Sequence, residues 1–286
     1  MHLTNSIRTI IAFNKRKGGK EIQPLPGQIS PSGMFDFTNQ VVIVTGSGSK
    51  RGLGRATALA FAQHGAAVVV ADISDDGVKD TVAAIEAEGG KALGVHLDVT
   101  DQSSVDAMVQ TVMDSFGRID VLVNNAGISQ KKTVADMTVE EMKRIFEINM
   151  FGLFRCSKAV MGIMQQQKYG RIVNLSSAAG KRGGGFLGGA HYSASKAAVL
   201  GFSKCMAREV AADGVTVNCV APGLVNTDIW KKDLSEEEVA NIIKSIPVGH
   251  PGEPYSVAAA ILFLASREAD YITGEDVDIN GGSHMD

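Results

Sequence analysis

The residues best suited to acid–base chemistry in this sequence are a tyrosine and a lysine four positions apart. Tyr192 and Lys196 lie in the stretch HYSASKAAVLGF, residues 191–202, and on a helix such residues share one face. A phenol has a pKa of about 10 and catalyses poorly at neutral pH unless a nearby positive charge stabilises its anion. The chain has four tyrosines, of which Tyr192 alone has a lysine at i+4. One such pair is unsurprising, and a solvated pair or a tyrosine covered by a lysine stem is the alternative.

Composition excludes several classes of function. The 286 residues are 44% hydrophobic and carry 28 basic and 31 acidic side chains, a net charge of -3. This content is ample for a large core, and the charge offers no positive field for nucleic acid or a membrane surface. Three widely spaced cysteines without a C-x-x-C pair indicate a reducing, cytoplasmic location. The six histidines form no H-E-x-x-H motif, so we predict no metal.

The first 33 residues differ in composition from the rest. They contain five basic residues against the single acid Glu21 and end in the proline- and glycine-containing PLPGQISPSG. We predict a basic, flexible extension over 1–33 and a folded domain over 34–286. A transit peptide is the alternative, although the segment is not serine-rich.

From Gln40 onward, short apolar runs alternate with helical patterns. The runs QVVIVTG, AAVVVAD, KALGVHLDV, IDVLVNNAG, GRIVNLSS, VTVNCVAPG and DVDIN predict strands, and the helix carrying Tyr192 follows the fifth of them. Asp101 is a predicted helix cap, and Thr138 with Glu141 a predicted capping box. Strands that are apolar on both faces and alternate with helices indicate a parallel sheet covered on both sides. We therefore predict a single α/β domain of the doubly wound Rossmann type, with about seven strands.

A glycine-rich turn follows the first predicted strand. In TGSGSKRGLGRATALA the glycines stand at 46, 48, 52 and 54, where backbone amides at a helix start can approach a phosphate. Asp72 ends the second strand, 18 residues after Gly54, where a carboxylate can accept ribose hydroxyls. No G-K-[ST] follows the glycines, which excludes a P-loop. A dinucleotide site is the better interpretation, and a methyltransferase the alternative at this point.

Motifs along the whole domain resemble those of the short-chain dehydrogenase/reductase family. They are TG…GLG at 45–54, ADI at 71–73, LDV at 97–99, NNAG at 124–127, FEINMFG around Asn149, NLSSAAG at 174–180, YSASK at 192–196 and VNCVAPGLVNTD at 217–228. The resemblance implies strand order 3-2-1-4-5-6-7, and a homotetramer. It also implies a catalytic tetrad of Asn149, Ser177, Tyr192 and Lys196.

The resemblance also assigns a dinucleotide-binding set. Its members are Gly46, Ser47, Arg51, Gly52, Leu53, Gly54, Asp72, Asp98, Val99, Asn125, Ala126, Gly127, Tyr192, Lys196, Pro222, Gly223 and Thr227. Asp98 and Val99 would flank the adenine. Residues 125–127 would lie under the nicotinamide half, whereas Asn124 would be structural. Pro222, Gly223 and Thr227 would contact the carboxamide and phosphates.

Two segments depart from the family pattern. The turn has five residues between TG and GLG, Ser47 to Arg51, and is longer than usual. The segment between the catalytic serine and tyrosine is also longer, which leaves Ser176 as the alternative to Ser177. We choose Ser177 because SAAG matches the family's SxxG.

The resemblance and the residues together predict an NAD-dependent oxidoreductase that interconverts a secondary alcohol and a ketone. Asp72 favours NAD by repelling a 2′-phosphate, against the opposing signal of Arg51 and Lys50, so NADP is the less favoured cofactor. Lys181, Arg182 and His191 suggest a polyol, sugar or hydroxy acid as substrate, although the first two fit a solvated loop tip equally well. An NADPH-dependent 3-oxoacyl thioester reductase and a non-catalytic dinucleotide sensor are the alternatives. The apolar helix around 258–265 supports an oligomer.

Overall fold

Seven parallel strands form the centre of the fold. The computed structural model describes residues 34–184, 188–228 and 235–286, so the predicted extension over 1–33 lies outside the described residues. The strands are β1 (Val41–Thr45), β2 (Ala67–Asp72), β3 (Lys91–His96), β4 (Val121–Asn124), β5 (Gly170–Leu175), β6 (Val215–Pro222) and β7 (Asp276–Ile279). Their order is β3-β2-β1-β4-β5-β6-β7, with every pair parallel. The predicted doubly wound sheet is confirmed.

Helices alternate with these strands. They are α1 (Leu53–Gln63), α2 (Asp75–Ala87), α3 (Gln102–Phe116), α4 (Val139–Phe146), α5 (Leu153–Gln167), α6 (Ala178–Arg182), α7 (Ala190–Val210), α8 (Glu236–Lys244) and α9 (Pro254–Ala265). A π-helical turn, Glu147–Gly152, joins α4 to α5. The predicted caps are present, because Asp101 accepts from the Ser103 amide and Thr138 forms a capping box with Glu141. No described helix has both the length and the hydropathy to cross a membrane.

The helices cover both faces of the sheet. Val42 and Val44 of β1 pack in a core with α1, α2 and α9, whereas Val41 and Ile43 pack in a second core with α3, α5 and α7. Successive residues of a strand point to opposite faces, so a strand buried on both sides must be apolar throughout. This requirement explains the continuous runs in the sequence.

Most apolar residues of helix α9 pack inside the chain. Ala258, Ile261, Leu262, Leu264 and Ala265 are all buried within the chain, in the core that α9 shares with α1. The hydrophobicity of this helix is thus largely satisfied by the chain's own core, although Tyr255 and Phe263 expose 71% and 37% of their surface, and the oligomer stays a prediction.

The order of the strands reverses between β1 and β4. In an open parallel sheet, the loops at the carboxyl ends of these two strands run to opposite faces and leave a crevice between them. The fold thus places a ligand crevice where the glycine turn after β1 meets the NNAG segment after β4.

Candidate active site

A cavity of about 840 Å³ lies at the carboxyl ends of the strands. Most of the predicted site lines it: Gly46, Gly52, Leu53, Asp72, Asp98, Val99, Asn125, Ala126, Gly127, Ser177, Tyr192, Lys196, Pro222, Gly223 and Thr227. The other predicted site residues, Ser47, Arg51, Gly54 and Asn149, lie behind or beside the lining. Residues as far apart in sequence as 46 and 227 therefore share one cavity.

Tyr192 lies in the first turn of α7, where its half-buried side chain lines the cavity. Burial raises the pKa of its phenol, and a hydrogen bond with the Ser177 side chain opposes this shift. Lys196, one turn along, has its Nζ 6.0 Å from the centre of the Tyr192 ring and donates to the Leu175 carbonyl oxygen at 2.6 Å. The Ser177 hydroxyl thus influences the ionisation of the phenol, and the Lys196 ammonium lies on the same side of α7.

Lys196 is a buried ammonium, with 5% of its surface exposed. Burial lowers its pKa from 10.5 to about 8, because a charged group loses its hydration in the interior. The lysine is therefore mainly protonated at neutral pH but is easily neutralised. Negative or hydroxyl-rich groups entering the cavity would stabilise its charge.

The two adjacent serines differ in what their hydroxyls contact. Ser177 caps α6 by accepting from the Ala179 amide at 3.2 Å, and it lines the cavity together with Tyr192. Ser176 is buried and donates to the main-chain oxygen of Lys196 at 2.9 Å. The geometry favours Ser177 as the group that could contact a substrate oxygen, with Ser176 holding α7 against β5.

Asn149 is buried in the π-helical turn, and its side-chain amide forms three hydrogen bonds within the protein. Its Oδ1 accepts from the Ile128 amide at 2.9 Å, and its Nδ2 donates to the Ile128 oxygen at 2.9 Å and to Ser195 Oγ at 3.1 Å. Ser195 Oγ in turn donates to the Tyr192 main-chain oxygen at 2.7 Å. The side chain therefore ties the loop after β4 to α7.

The glycine turn has the shape that a dinucleotide requires. Gly46 adopts φ 66°, and a Cβ there would lie 2.7 Å from Ala126 Cα. The Asn125 side chain donates to the oxygens of Thr45 and Gly46 at 2.9 and 2.8 Å, which fixes the turn against β4. Gly52 and Leu53, at the start of α1, line the cavity, so the positively polarised helix end faces it. The residues present fit a pyrophosphate.

Asp72 lines the same cavity, and its orientation is fixed by main-chain amides. Its Oδ2 accepts from Gly48 at 2.8 Å and its Oδ1 from Ser74 at 3.0 Å. A carboxylate has about four lone-pair sites, so capacity remains for hydroxyl donors. Lys50 instead pairs with Asp80 at 2.8 Å, and Arg51 lies 3.8 Å from Asp228. Both cations of the turn are thus engaged with acids other than Asp72.

Of the three basic residues proposed to reach the substrate, Arg182 lines the cavity. Lys181 instead bonds Asp276, Asp278 and Asp286 at 2.7, 2.9 and 2.5 Å. Burial alone would lower its pKa, but these three carboxylates raise it overall. It is therefore an anchor for the C-terminal residues. The solvated-tip alternative is also wrong for Lys181, because 6% of its side chain is exposed.

The cluster of Asp278, His284 and Asp286 has ligand atoms within 4.8 Å of one another. The Lys181 ammonium bonds both of these aspartates, so it already supplies the positive charge that a metal ion would bring. The cluster is therefore explained by the anchor just described.

Sequence reasoning missed several residues at the site. Gln130 and Ser283 lay outside every motif, and Ser195, although within YSASK, was given no role. His191 was expected to reach the substrate, but it is buried and faces Gln130 instead. Ser283 lines the cavity, and its carbonyl accepts from Arg182 at 3.2 Å. The spacing of Tyr192 and Ser195, three residues on a helix, was the one available signal that Ser195 lies near the site.

Comparison with known proteins matches nearly the whole of the described domain. A family model described as enoyl-(acyl carrier protein) reductase matches residues 46–284. The chain is 42% identical over 251 residues to the 3-oxoacyl-[acyl-carrier-protein] reductase of Escherichia coli, covering 88% of this chain and 100% of that one. It is 43% identical over 244 residues to an uncharacterized short-chain type dehydrogenase/reductase of Sinorhizobium fredii, covering 85% and 96%. The crystal structure of a short-chain type dehydrogenase/reductase from Mycobacterium marinum superposes with a TM-score of 0.84 at 34% identity, covering 88% and 98%.

Proposed function

We infer the reaction of this chain from its family membership and from the residues that line the cavity. The chain belongs to the short-chain dehydrogenase/reductase family and is an oxidoreductase acting on CH–OH groups. We propose that it interconverts a secondary alcohol and a ketone with NAD(H). The observation that supports this most directly is that Ser177, Tyr192 and Lys196 line one cavity together with the glycine turn. A hydroxyl, a phenol and an ammonium therefore converge where a carbinol carbon could lie.

The proposed roles follow from these contacts. Ser177 donates a hydrogen bond to the substrate oxygen and orients it towards the phenol. The Tyr192 phenolate accepts the alcohol proton during oxidation, and the phenol donates it back during reduction. Lys196 holds positive charge beside the phenol and favours its ionised form. The bound nicotinamide dinucleotide supplies the hydride acceptor or donor, held by the glycine turn, Asp72, and residues 125–127 and 222–227.

The preference for NAD rests on Asp72. At ~4 Å and an effective dielectric of ~20, two like charges repel by about 4 kcal/mol, which disfavours a 2′-phosphate next to this carboxylate. Asp72 belongs to β2 and is held by two main-chain amides, so it cannot easily turn away. Lys50 and Arg51, which would favour NADP, lie on the longer turn and already contact other acids.

The cofactor test measures kcat/KM with NAD and NADP on one working substrate. We expect NAD to be preferred, and Asp72→Ala to narrow the difference by weakening NAD binding and admitting NADP. Asp80→Ala, which removes the acid that pairs with Lys50, is the matched control and should change the ratio less. A wild-type preference for NADP would overturn the proposal.

The substrate class has two candidates. A polyol, sugar or hydroxy acid is supported by Arg182, Ser129 and Ser283 on the cavity wall. A 3-oxoacyl thioester is supported by the Escherichia coli relative, named for that reaction, and by the apolar Ile128, Leu224 and Val225 in the same lining. A spectrophotometric screen of both classes, in both directions, should separate them. Dinucleotide binding without turnover of any compound would instead favour the non-catalytic sensor.

A further inference from the structure

The N-terminal turn of α7 is held in an unusual way. Its cap position is Gly189, which has no side chain to bond the free amides of the helix start. The first intrahelical bond runs from the Ser193 amide to the Gly189 oxygen, so the Tyr192 amide needs another acceptor. The imidazole of His191 supplies it: Nδ1 accepts from the Tyr192 amide at 2.9 Å. The residue before the tyrosine thus performs the capping.

This contact fixes the state of the imidazole. Since Nδ1 accepts a hydrogen bond, the ring proton lies on Nε2, which faces Gln130 Oε1 at 3.2 Å. Gln130 Nε2 then donates to Glu141 Oε1 at 3.0 Å, and Lys132 Nζ donates to the same carboxylate at 2.7 Å. These contacts form a hydrogen-bonded chain that runs from the Tyr192 amide through His191 and Gln130 to the Glu141 carboxylate. Every donor in this hydrogen-bonded chain has an acceptor.

The hydrogen-bonded chain from Tyr192 to Glu141 is buried at His191 and fixed to the protein at two further points. His191 is fully buried, and Glu141 is fixed by its capping box with Thr138 at the start of α4. The main-chain oxygen of Gln130 also accepts from the Gly189 amide at 2.9 Å. Gln130 therefore bonds the start of α7 through both its main chain and its side chain. The loop after β4 and the helix carrying Tyr192 are joined at this point.

The peptide of Tyr192 is consequently held at both of its polar groups. Its amide bonds His191, and its carbonyl oxygen accepts from Ser195, which Asn149 holds in turn. Catalysis depends on placing reacting atoms closely, and a displacement of about 1 Å can cost up to about 10²-fold in rate. A hydrogen-bonded chain that fixes the backbone of the catalytic tyrosine would therefore influence the chemical step without touching the substrate.

We propose that Gln130 and His191 are positioning residues for Tyr192, acting through the hydrogen-bonded chain that ends at Glu141. The role rests on the proposed function, since it presumes that Tyr192 performs the proton transfer. The Gln130 and His191 side chains contact neither the tetrad hydroxyls nor the glycine turn in the bonds described above. Their effect should accordingly appear in kcat and leave dinucleotide affinity nearly unchanged.

The test compares Gln130→Met, His191→Phe and His191→Asn. Gln130→Met keeps the length of the side chain and removes both of its bonds, and His191→Phe keeps the ring shape without its nitrogens. His191→Asn retains an acceptor, because the asparagine Oδ1 occupies the position of Nδ1, but it loses the contact with Gln130. The control is Gln165→Met, which removes a comparable bond, to Asp213, on α5 outside the cavity lining.

We expect kcat to fall about tenfold in Gln130→Met and further in His191→Phe, with His191→Asn in between. The dissociation constant for NADH should stay within about twofold of wild type. The primary deuterium isotope effect on kcat should rise, because hydride transfer becomes more rate-limiting. A merely destabilised enzyme loses active molecules but keeps its isotope effect. Gln130→Met with wild-type kcat, or with an unchanged isotope effect, would overturn the proposal, as would His191→Asn being no better than His191→Phe.

A second measurement does not need a substrate. Hydrogen exchange of the Tyr192 amide should be faster in Gln130→Met than in wild type and in Gln165→Met. Unchanged protection of the Tyr192 amide from exchange would contradict the role of the hydrogen-bonded chain even if kcat had fallen. If the wild-type enzyme oxidised or reduced nothing in the screen while the amide responded as expected, the proposed function would fail and the structural chain would stand. If His191→Phe does not fold, the half-exposed Gln130 still provides the test.

Discussion

At the scale of single residues, ionisation of Tyr192 controls the proposed chemistry. Burial raises the pKa of this phenol, against the bond from Ser177, so positive charge from Lys196 and from the oxidised cofactor is needed to form the phenolate. We expect Tyr192→Phe to lower turnover by ~10²- to 10⁴-fold while dinucleotide binding, measured by fluorescence titration, stays nearly intact. Near-wild-type turnover in this variant would remove Tyr192 from the mechanism.

The adjacent serines allow a matched pair of substitutions. Ser177→Ala removes the hydroxyl that lines the cavity beside Tyr192, so we expect a strong loss of kcat, together with a stability loss of about 1 kcal/mol from the missing cap of α6. Ser176→Ala removes a buried bond to the Lys196 main chain, so we expect a stability loss of about 1 kcal/mol and a smaller effect on kcat. The reverse ranking in kcat would show that Ser176 contacts the substrate.

Lys196 should give the folded protein a specific pH dependence. Burial lowers its pKa from 10.5 to about 8, so between these values the unfolded chain binds the proton that the folded chain has released. The stability of the folded protein therefore rises with pH through this window. The free-energy cost of burying the Lys196 ammonium is fully present below about pH 8. We expect Lys196→Met to lack this rise, a difference on the order of 3 kcal/mol across the window. Denaturant unfolding at pH 7 to 10.5 measures it, and parallel curves would contradict the assignment.

At the scale of elements, the turn between β1 and α1 depends on close backbone packing. A Cβ on Gly54 would clash with the Gly46 carbonyl oxygen and lie 2.5 Å from Asn125 Nδ2, the atom that fixes the turn against β4. We expect Gly54→Ala to weaken NADH binding by at least about tenfold and to lower the melting temperature, since the helix start must move away from the turn.

Gly162 provides the control for this substitution. It lies within α5 with no atom near the position of a Cβ. Gly162→Ala should therefore stabilise the protein by about 0.5–1 kcal/mol through helix propensity alone and leave NADH binding unchanged. If both variants bound NADH like wild type, the turn would not be the pyrophosphate site.

At the scale of the whole molecule, we expect a homo-oligomer, with a tetramer implied by the family resemblance. Most apolar residues of α9 are buried within the chain and do not require a second subunit. Phe151 and Phe154, however, expose 47% and 42% of their surface, and Phe154 packs edge-on against Phe202, with the ring centres 6.0 Å apart. Apolar surface of this kind on one side of a helix is typical of a subunit interface.

Light scattering tests the assembly directly. Wild type should have several times the mass of a 30.1 kDa chain at micromolar concentration. Phe151→Glu with Phe154→Glu should lower this mass by placing charges in the interface. Tyr255→Glu, at a more exposed aromatic position on α9, is the control and should leave the mass unchanged. A monomeric wild type would refute the oligomer.

Local patterns in the sequence were sufficient for the fold class, whereas most of the cavity residues were assigned by the family resemblance. Apolar runs with helices between them require a parallel sheet buried on both faces, and the order of the motifs places Gly46, Asp72, Asn125 and Tyr192 at the carboxyl ends of strands. Helix caps at Asp101 and Thr138 were equally predictable, since each bond joins residues two or three apart. Such features depend on periodicity and on near neighbours, which the chain encodes directly.

Only the tertiary structure decided which partner each polar side chain meets. Lys181 pairs with three carboxylates about a hundred residues away. Ser176 bonds the backbone of α7, and the Asn149 amide bonds Ile128 and Ser195. Likewise, most apolar residues of α9 pack in a core that the helix shares with α1. A sequence specifies the donors, acceptors and apolar faces, but the direction in which each side chain points depends on packing between elements far apart in the chain.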